Sequence, residues 1–300
     1  MIKRIIDISE KAYIHMKHRQ LLIDKEGETI GQIPIEDLGV LILQHSAIVV
    51  TQAVIIACQE NNVVLVFCDS RHLPYSVVLP ISEGHTLHTK VLRQQLAITL
   101  PTKKRLWQQI VKYKIKEQAS TLALANKDNK GLLRLAEKVK TGDSENYEAQ
   151  AAKVYWRLLF GDEFRRDVNA EGLNSILNYG YAIMRAMVAR ALVGSGLHPA
   201  IGLHHRNQYN GLCLADDIME PFRPWVDLAV YKLFVDNKQL EINTEIKQAL
   251  LGMLSEKVIW KGESLPLMVA CHSLTADLKR AYQNSKEKLC FPQLENRIAA

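Results

Sequence analysis

The chain has 300 residues, of which 48% are hydrophobic and 23% are charged, and its formal net charge is +6. This composition is that of an ordinary soluble globular protein, its length favours two domains, and no apolar run approaches the ~18 residues of a transmembrane helix. The five cysteines form no CxxC pair, and the charged N-terminus lacks the apolar segment of a signal peptide. We therefore expect a reduced, cytoplasmic protein with free thiols and no membrane partner.

The first 80 residues are predicted to form a small β-domain. Short segments separated by turn-forming or charged residues, and continuous runs rich in Val, Ile and Leu, are typical of strands. Lys25, Glu26 and Gly27 lie between two such segments and predict a hairpin turn. A helix that Thr51 can cap is predicted over 51–61. The predicted strands are 5–8, 12–16, 21–24, 29–34, 38–43 and 63–68.

From His85 onward the apolar residues recur with helical spacing, which predicts a larger all-α domain over residues 81–300. Residues 70–84 are expected to join the two domains, and 285–300, which lack periodicity, to form a loose tail. The predicted fold class is therefore α+β, with the β-domain first. Helices are predicted on both sides of Pro101 and at about 145–160, 173–194, 221–235, 240–259 and 266–284.

The positive charge is concentrated in residues 90–140, which contain 13 basic and 3 acidic residues. The rest of the chain is slightly acidic. Such a block suits a polyanionic partner, because each neutralised phosphate releases counterions, although a solvated helical face has the same composition. The candidates for a phosphate-binding track within this block are Lys103, Lys104, Arg105 and Lys112.

One carboxylate of the predicted helix 145–160, Glu148, lies on its apolar stripe. The stripe includes Val154 and Tyr155, and Ser144 is a plausible N-cap. An inward carboxylate is costly unless it is paired, protonated or bound to a metal ion, and the neighbouring alanines leave room for an ion. A salt bridge to an interior arginine, such as Arg185 or Arg190, explains the same spacing equally well.

The segment 202–225, GLHHRNQYNGLCLADDIMEPFRPW, combines histidines, carboxylates and arginines within a stretch bounded by Gly and Pro. Carboxylate oxygens are the ligands that hard divalent cations prefer, and an imidazole can complete such a shell. Adjacent residues point in different directions, so at most one of His204 and His205 is expected to face a site. A lone histidine is more often structural than a ligand, so the segment predicts one wall of a metal site without deciding between them.

The acidic part of this segment predicts a helical turn over Ala215–Met219 that places Asp217 and Glu220 on one face. Pro221 biases Glu220 away from helical geometry, so helix capping is the structural alternative for Glu220. Arg223 is one turn further and is expected either to pair with Asp227 or to contact a phosphate.

Three motifs in order carry a family resemblance: ExxAAxxYW at 148–156, GLHH at 202–205 and DIMEPFRP at 217–224. Together they resemble the CRISPR-associated integrase that captures new spacers, and they look most like its type II branch. The strand sequence LVFCD at 65–69 and the predicted order of domains extend the resemblance over most of the chain.

The resemblance implies a catalytic site in which Glu148, His205 and Glu220 bind one Mg²⁺ or Mn²⁺ ion. Asp217 would then orient a ligand or a metal-bound water, and His204 has no assigned role. The implied reaction is attack by the 3′-hydroxyl of a captured DNA fragment on a phosphodiester at the end of a CRISPR repeat, with hydrolysis when water replaces that hydroxyl.

The resemblance also implies partners. These are a second copy of the chain, joined through the β-domains, and a small ferredoxin-like companion protein that completes a heterohexamer. Captured DNA and repeat DNA would contact this assembly, with Arg223 as a further phosphate contact, and type II effector proteins are additional candidates. Two other functions remain open on the residues alone: a non-catalytic DNA-binding scaffold and a general repair nuclease that acts on branched DNA.

Overall fold

The structure is a computed structural model that describes residues 3–70, 73–81, 85–236 and 241–294. Its N-terminal part consists of two four-stranded sheets and one helix, α1 (Gln52–Glu60), which begins after Thr51 as predicted. The strands are β1 (Arg4–Ile8), β2 (Tyr13–Lys17), β3 (Gln20–Lys25), β4 (Glu28–Pro34), β5 (Leu38–Leu43), β6 (Val49–Val50), β7 (Val64–Cys68) and β8 (Pro74–Val78).

The first sheet has the order β1-β5-β7-β8, with β1, β5 and β7 parallel and β8 antiparallel at the edge. The second has the order β4-β3-β2-β6 and contains two antiparallel hairpins. The predicted turn between β3 and β4 is confirmed, since Glu26 and Gly27 have φ angles of 53° and 89°. Strand β8 was not predicted and lies in the segment that was expected to be a linker.

Strand β5 joins the two halves of the molecule because both of its faces are buried. Its side chains alternate, so that Val40 and Ile42 belong to the core shared with the helices, whereas Leu41 and Leu43 face the second sheet. A parallel strand covered on both faces is expected to be continuously apolar, as LGVLIL is. The domain boundary predicted near residue 80 stays a prediction, but the first sheet contributes to both cores.

The remainder of the described chain is mainly helical, and its helix at Leu173–Gly194 is buried along most of its length. No helix among the described residues is both long enough and apolar enough to cross a membrane. The helices are α2 (His88–Leu96), α3 (Leu100–Leu124), α4 (Lys130–Lys138), α5 (Tyr147–Phe160), α6 (Leu173–Gly194), α7 (Cys213–Met219), α8 (Arg223–Asp236), α9 (Thr244–Met253) and α10 (Leu267–Gln283).

The α+β fold class is confirmed, but the helical part is not all-α. The helix predicted over 240–259 ends at Met253, and β9 (Lys257–Trp260) pairs with β10 (Glu263–Pro266) and β11 (Gln293–Leu294). The tight β9–β10 turn consists of Lys261 and Gly262, both with positive φ. A two-residue turn of this kind favours a β-hairpin over the helix that the spacing of the apolar residues predicts.

The predicted loose tail is wrong for residues 285–294. Leu289 is buried, and the Phe291 ring stacks on the Tyr113 ring of α3 with their centroids 4.4 Å apart. The apolar residues of the tail have no regular spacing because single residues, such as Leu289 and Phe291, attach it to the helices. Residues 237–240 and 295–300 lie outside the described chain.

Candidate metal centre

Glu148 lies in the first turn of α5, and a buried carboxylate fixes its backbone. Asp143 accepts hydrogen bonds from the backbone N–H of Tyr147 (2.9 Å) and of Glu148 (3.0 Å). The cap predicted at Ser144 is therefore wrong, since Asp143 satisfies the free N–H groups of the helix instead. The side of α5 that follows Glu148 is buried at Ala151, Tyr155 and Leu159, whereas Val154 of the predicted stripe is exposed.

Asp217 holds the histidine loop in place. Its side chain is fully buried in α7 and accepts hydrogen bonds from the backbone N–H of Leu203 (2.6 Å), His204 (3.1 Å) and His205 (3.1 Å). Its Oδ1 is also 2.7 Å from His205 Nδ1. This contact raises the pKa of His205 above its ordinary value and leaves Nε2 as the ring nitrogen that can bind a metal ion.

The tight loop requires glycine at position 202. A Cβ atom on Gly202 would lie 2.3 Å from the carbonyl oxygen of His205 and 3.0 Å from Asp217 Oδ2. Any side chain there would push the loop away from the aspartate. The Gly-Leu-His-His segment therefore acts as one unit, because the close approach of its backbone to Asp217 sets the positions of both histidines.

The two histidines of the loop point in different directions, as the sequence predicts. Their rings are inclined by 88°, and the His204 ring stacks face to face on Trp107 of α3, with centroids 4.2 Å apart. Trp107 is buried and was not singled out in the sequence, although it belongs to the apolar face of its helix. The stacking of His204 on Trp107 therefore holds the loop against α3, whereas the His205 ring contacts Asp217.

Glu220 follows α7 directly and lies in a 3-10 turn that continues into α8. Its φ and ψ angles are −51° and −44°, so the expectation that Pro221 would keep it out of helical geometry is wrong. The preference before proline is overridden because the turn is buried: Pro221 and Phe222 pack in the interior. The side chain of Glu220 does not cap a helix but pairs with two cations.

Those two cations are Lys114 and Arg223. Lys114 Nζ donates to Glu148 Oε1 at 2.6 Å and also to Glu220 Oε2. Arg223 Nε donates to Glu220 Oε1 at 2.9 Å. Burial opposes the ionisation of Glu220, but Arg223 and Lys114 outweigh burial and lower its pKa to about 2. Glu220 is therefore ionised, and it shares one cation with Glu148.

The arginines proposed from the sequence as partners of Glu148 have other contacts. Arg185 Nε is 2.6 Å from Asp216 Oδ1, and Arg190 donates to the backbone carbonyl of Asn62 at 2.6 Å. The interior salt bridge of Glu148 therefore exists, but its cation is Lys114 of α3. In the sequence Lys114 is one of many lysines in the basic block, and nothing distinguishes it there.

Arg223 does not pair with Asp227. The guanidinium lies over the ring of Tyr181, with its carbon atom 4.7 Å from the centroid. Asp227 instead accepts hydrogen bonds from the hydroxyl groups of Tyr181 and Tyr155, the latter at 2.9 Å. Burial raises the pKa of Asp227 to about 7, although both hydroxyl donors oppose the shift.

The shifted pKa of Asp227 predicts a loss of stability as pH rises. A carboxyl that binds protons more tightly when folded stabilises the fold at low pH, and this contribution disappears between about pH 4 and pH 7. Asp227→Asn is therefore expected to flatten the decline in the free energy of unfolding between pH 5 and pH 8 by a few kcal/mol, at about 1.4 kcal/mol per pKa unit. Urea unfolding in metal-free buffer measures this difference. Asp162→Asn, at an exposed site, is the control, and an unchanged pH dependence in Asp227→Asn would refute the prediction.

The donor set fits a hard divalent cation in two respects. Glu148 and Glu220, from separate helices, direct carboxylate oxygens at the same Lys114 ammonium. His205 is close enough for its charge to lower the pKa of Glu220, and its orientation is fixed. Within the described residues, no three His, Cys, Asp or Glu side chains are already arranged to hold a metal ion. The site thus has suitable ligands and an internal cation between two of them.

Part of the predicted phosphate track borders this site. Lys103 Nζ lies 3.5 Å from the carbonyl oxygen of Gly202, and the stem of Lys104 packs at Gly142, just before Asp143. Arg105 follows them on α3 and Lys112 lies two turns further. Lysine side chains from the start of α3 therefore lie beside the loop that contains His205 and beside the turn that precedes Glu148.

Comparison with known proteins identifies similar chains. The family described as "CRISPR associated protein Cas1" matches residues 6–259. The "CRISPR-associated endonuclease Cas1" of Neisseria meningitidis serogroup C is 36% identical over 98% of this chain and 97% of its own length. The fold resembles that of a "Casposase bound to integration product" (TM-score 0.76, 21% identity, 96% of this chain and 92% of that chain). It also resembles part of a "Cas6-RT-Cas1--Cas2 complex" (TM-score 0.75, 18% identity, 94% and 35%).

Proposed function

Because this chain belongs to the CRISPR-associated protein Cas1 family, we propose that it is a divalent-metal-dependent DNA endonuclease and integrase that inserts captured foreign DNA into a CRISPR array as new spacers. The family match confirms the resemblance seen in the three sequence motifs. The observation that carries the proposal is the convergence of Glu148 and Glu220 on one cation beside an oriented His205. The similarity to a protein named an endonuclease supports it.

We propose Glu148, His205 and Glu220 as the ligands of one Mg²⁺ or Mn²⁺ ion. The carboxylate oxygens suit both ions, and the imidazole nitrogen makes Mn²⁺ at least as suitable as Mg²⁺. When bound, the ion would polarise the phosphoryl group and activate the attacking oxygen.

The residues around the ligands prepare the site for phosphodiester chemistry. Asp217 fixes the tautomer and direction of the His205 ring, so that Nε2 carries no proton when it binds an ion. Arg223 balances part of the charge at Glu220. Lys103 and Lys104 lie near Gly202 and Gly142, which supports our proposal that they contact DNA phosphates. In the proposed reaction the 3′-oxygen of the captured fragment gives up its proton and forms a new ester bond to the phosphorus at the repeat end. The bond from that phosphorus to the 3′-oxygen of the neighbouring nucleotide breaks, and that oxygen takes up a proton and leaves as a free 3′-hydroxyl. One phosphodiester replaces another, so no external energy source is needed.

Strand transfer on a branched DNA substrate with Mn²⁺ tests this proposal. Glu148→Gln and His205→Ala are expected to lose strand transfer and hydrolysis while still binding DNA, because both remove a proposed ligand. Circular dichroism of each variant checks that the fold is retained. A non-catalytic scaffold predicts unchanged function in both variants, and that outcome would overturn the proposal.

The proposed phosphate track predicts a change in the salt dependence of DNA binding. Reversing Lys103, Lys104 and Arg105 to Glu together should lower the slope of log K against log[salt] by about 2–3, since each neutralised phosphate contributes about 0.9. Fluorescence anisotropy at several salt concentrations measures the slope. Reversal of three exposed lysines of the N-terminal part, Lys11, Lys17 and Lys25, is the matched control, and equal slopes in the two variants would refute the track.

We also propose partners for the chain. Large apolar side chains are exposed in the N-terminal sheets, among them Ile30 and Tyr75, which are 64% and 83% exposed. Such residues suit a homodimer formed through this part of the chain. A further proposed partner is a small ferredoxin-like companion protein that completes a heterohexamer; the solved complex with a similar fold is named as containing Cas2. Light scattering of the purified chain is expected to give a dimer, and a monomer at micromolar concentration would contradict the first of these partners.

A further inference from the structure

We propose that Lys114 is the internal counter-cation of the candidate metal centre and that a divalent ion must displace it to reach Glu148 and Glu220. The inference rests on the proposed metal site and concerns how that site is filled. It proposes that Lys114, which lies outside the three sequence motifs, controls the affinity of the site for a metal ion.

The geometry makes the ammonium and a metal ion mutually exclusive. Lys114 Nζ is 2.6 Å from Glu148 Oε1 and also contacts Glu220 Oε2, so it lies between the two proposed ligand side chains. A divalent ion held by the same two oxygens at about 2.0–2.6 Å would occupy nearly the same position. Two cations that close repel each other strongly in a buried environment.

The charges lead to the same conclusion. Glu148 and Glu220 contribute two negative charges, and Lys114 and Arg223 contribute two positive charges, so this group of four is neutral. A divalent ion added to the intact group would leave it with an excess of two positive charges. Movement of the Lys114 ammonium away from the carboxylates removes one of them and frees the oxygen atoms that bind the ion.

The contacts of the nearby cations single out Lys114. Arg223 is bound to the opposite oxygen of Glu220 and packs against Tyr181, so it can remain when an ion enters. Lys116, half a turn away on α3, pairs at the surface with Glu137 at 3.1 Å. Lys114 alone among these cations bridges both proposed carboxylate ligands. It also explains how the buried Glu220 and the partly buried Glu148 are tolerated side by side without a metal ion, since two carboxylates with no cation between them would repel each other.

The first test compares Mn²⁺ affinity by calorimetry, with free Mn²⁺ counted by electron paramagnetic resonance. Lys114→Met keeps the aliphatic stem and removes the charge, and we expect a dissociation constant at least about tenfold lower, together with a lower melting temperature of the metal-free protein. Lys114→Arg keeps the competing cation and should not bind Mn²⁺ more tightly. Lys116→Met is the matched control and should resemble the unmodified protein. Unchanged or weaker Mn²⁺ binding by Lys114→Met would overturn the proposal.

The second test uses the unmodified chain and does not depend on the folding of any variant. Reductive methylation followed by mass spectrometry measures the reactivity of each lysine. Lys114 should react slowly without metal, because its amine is buried and bound to two carboxylates. Saturating Mn²⁺ should raise its rate relative to Lys116, whereas an unchanged or lower relative rate would contradict displacement.

Two further variants separate this inference from the proposed function. If Glu148→Gln and His205→Ala bind Mn²⁺ as tightly as the unmodified chain, the metal centre itself is refuted. If those variants lose Mn²⁺ binding while Lys114→Met and the Lys114 labelling show no change, only the role of Lys114 is refuted.

Discussion

Glu220→Gln is expected to reduce strand transfer by at least about 10³-fold, because it removes a proposed metal ligand and disturbs the whole charge balance of the site. The side chain of Glu220 is 5% exposed and forms ion pairs with both Lys114 and Arg223. Glutamine preserves the shape of the side chain but leaves the partly buried Arg223 without its carboxylate partner. Removing one member of a buried ion pair costs about 3–5 kcal/mol, so the free energy of unfolding should also fall by this amount.

The measurement combines a strand-transfer time course, Mn²⁺ calorimetry and urea unfolding. Glu137→Gln provides a matched control, since Glu137 pairs with Lys116 at the exposed surface at 3.1 Å. That change should cost less than about 1 kcal/mol and leave strand transfer intact. Full activity in Glu220→Gln would show that Glu220 is structural, and normal stability with lost activity would show that its ion pairs contribute little.

Most strands of the N-terminal part and most helices follow from local patterns in the sequence. β5 and β7 are continuous apolar runs and α6 is a long, mainly apolar segment, so the apolar pattern of each agrees with its burial. The failures occur where contacts distant in sequence decide the structure. Strand β9 pairs with the distant strand β11 as well as with β10, and the Phe291 ring of the 285–294 segment stacks on Tyr113 of α3. No local pattern encodes the pairing with β11 or the contact with Tyr113.

In the candidate site, too, the sequence identifies some residues and misses one that only contacts distant in sequence reveal. The motifs led to Glu148, His205 and Glu220, and the expectation that Asp217 orients a ligand agrees with its hydrogen bonds to the histidine loop. The sequence could not identify Lys114. On α3 it lies among other lysines, and only the packing of α3 against the segments that carry Glu148 and Glu220 turns it inward.

The pairing of Arg223 with Asp227, one of the two alternatives for Arg223, was wrong for a related reason, whereas its contact with a phosphate stays a prediction. Their spacing of four residues on α8 favours a pair, and helical spacing was the only information available. The tyrosines that bind Asp227 come from α5 and α6, and Glu220 competes for Arg223 from the preceding turn. Burial then decides the outcome, because each buried polar group must find a partner and the nearest in sequence is not always the nearest in space.

Asp217→Asn is expected to weaken Mn²⁺ binding by about 10- to 100-fold, the usual effect of losing the residue that orients a metal-binding histidine. An asparagine has one acceptor oxygen in place of two. It cannot satisfy all three backbone N–H groups and His205 Nδ1, each of which contacts Asp217 within 3.1 Å. Every buried donor left unpaired costs about 1–3 kcal/mol, so the histidine loop should also lose protection against hydrogen exchange.

The pH dependence of metal binding gives this prediction a specific signature. Asp217 raises the pKa of His205, and a protonated imidazole cannot bind a metal ion. In the unmodified chain Mn²⁺ affinity should therefore fall as pH drops through that raised pKa. In Asp217→Asn the fall should begin at a lower pH, although binding is weaker throughout. Asp216→Asn, one residue away and paired with Arg185 at 2.6 Å, is the control. If the two variants have the same Mn²⁺ affinity and the same pH midpoint, the orienting role of Asp217 is refuted.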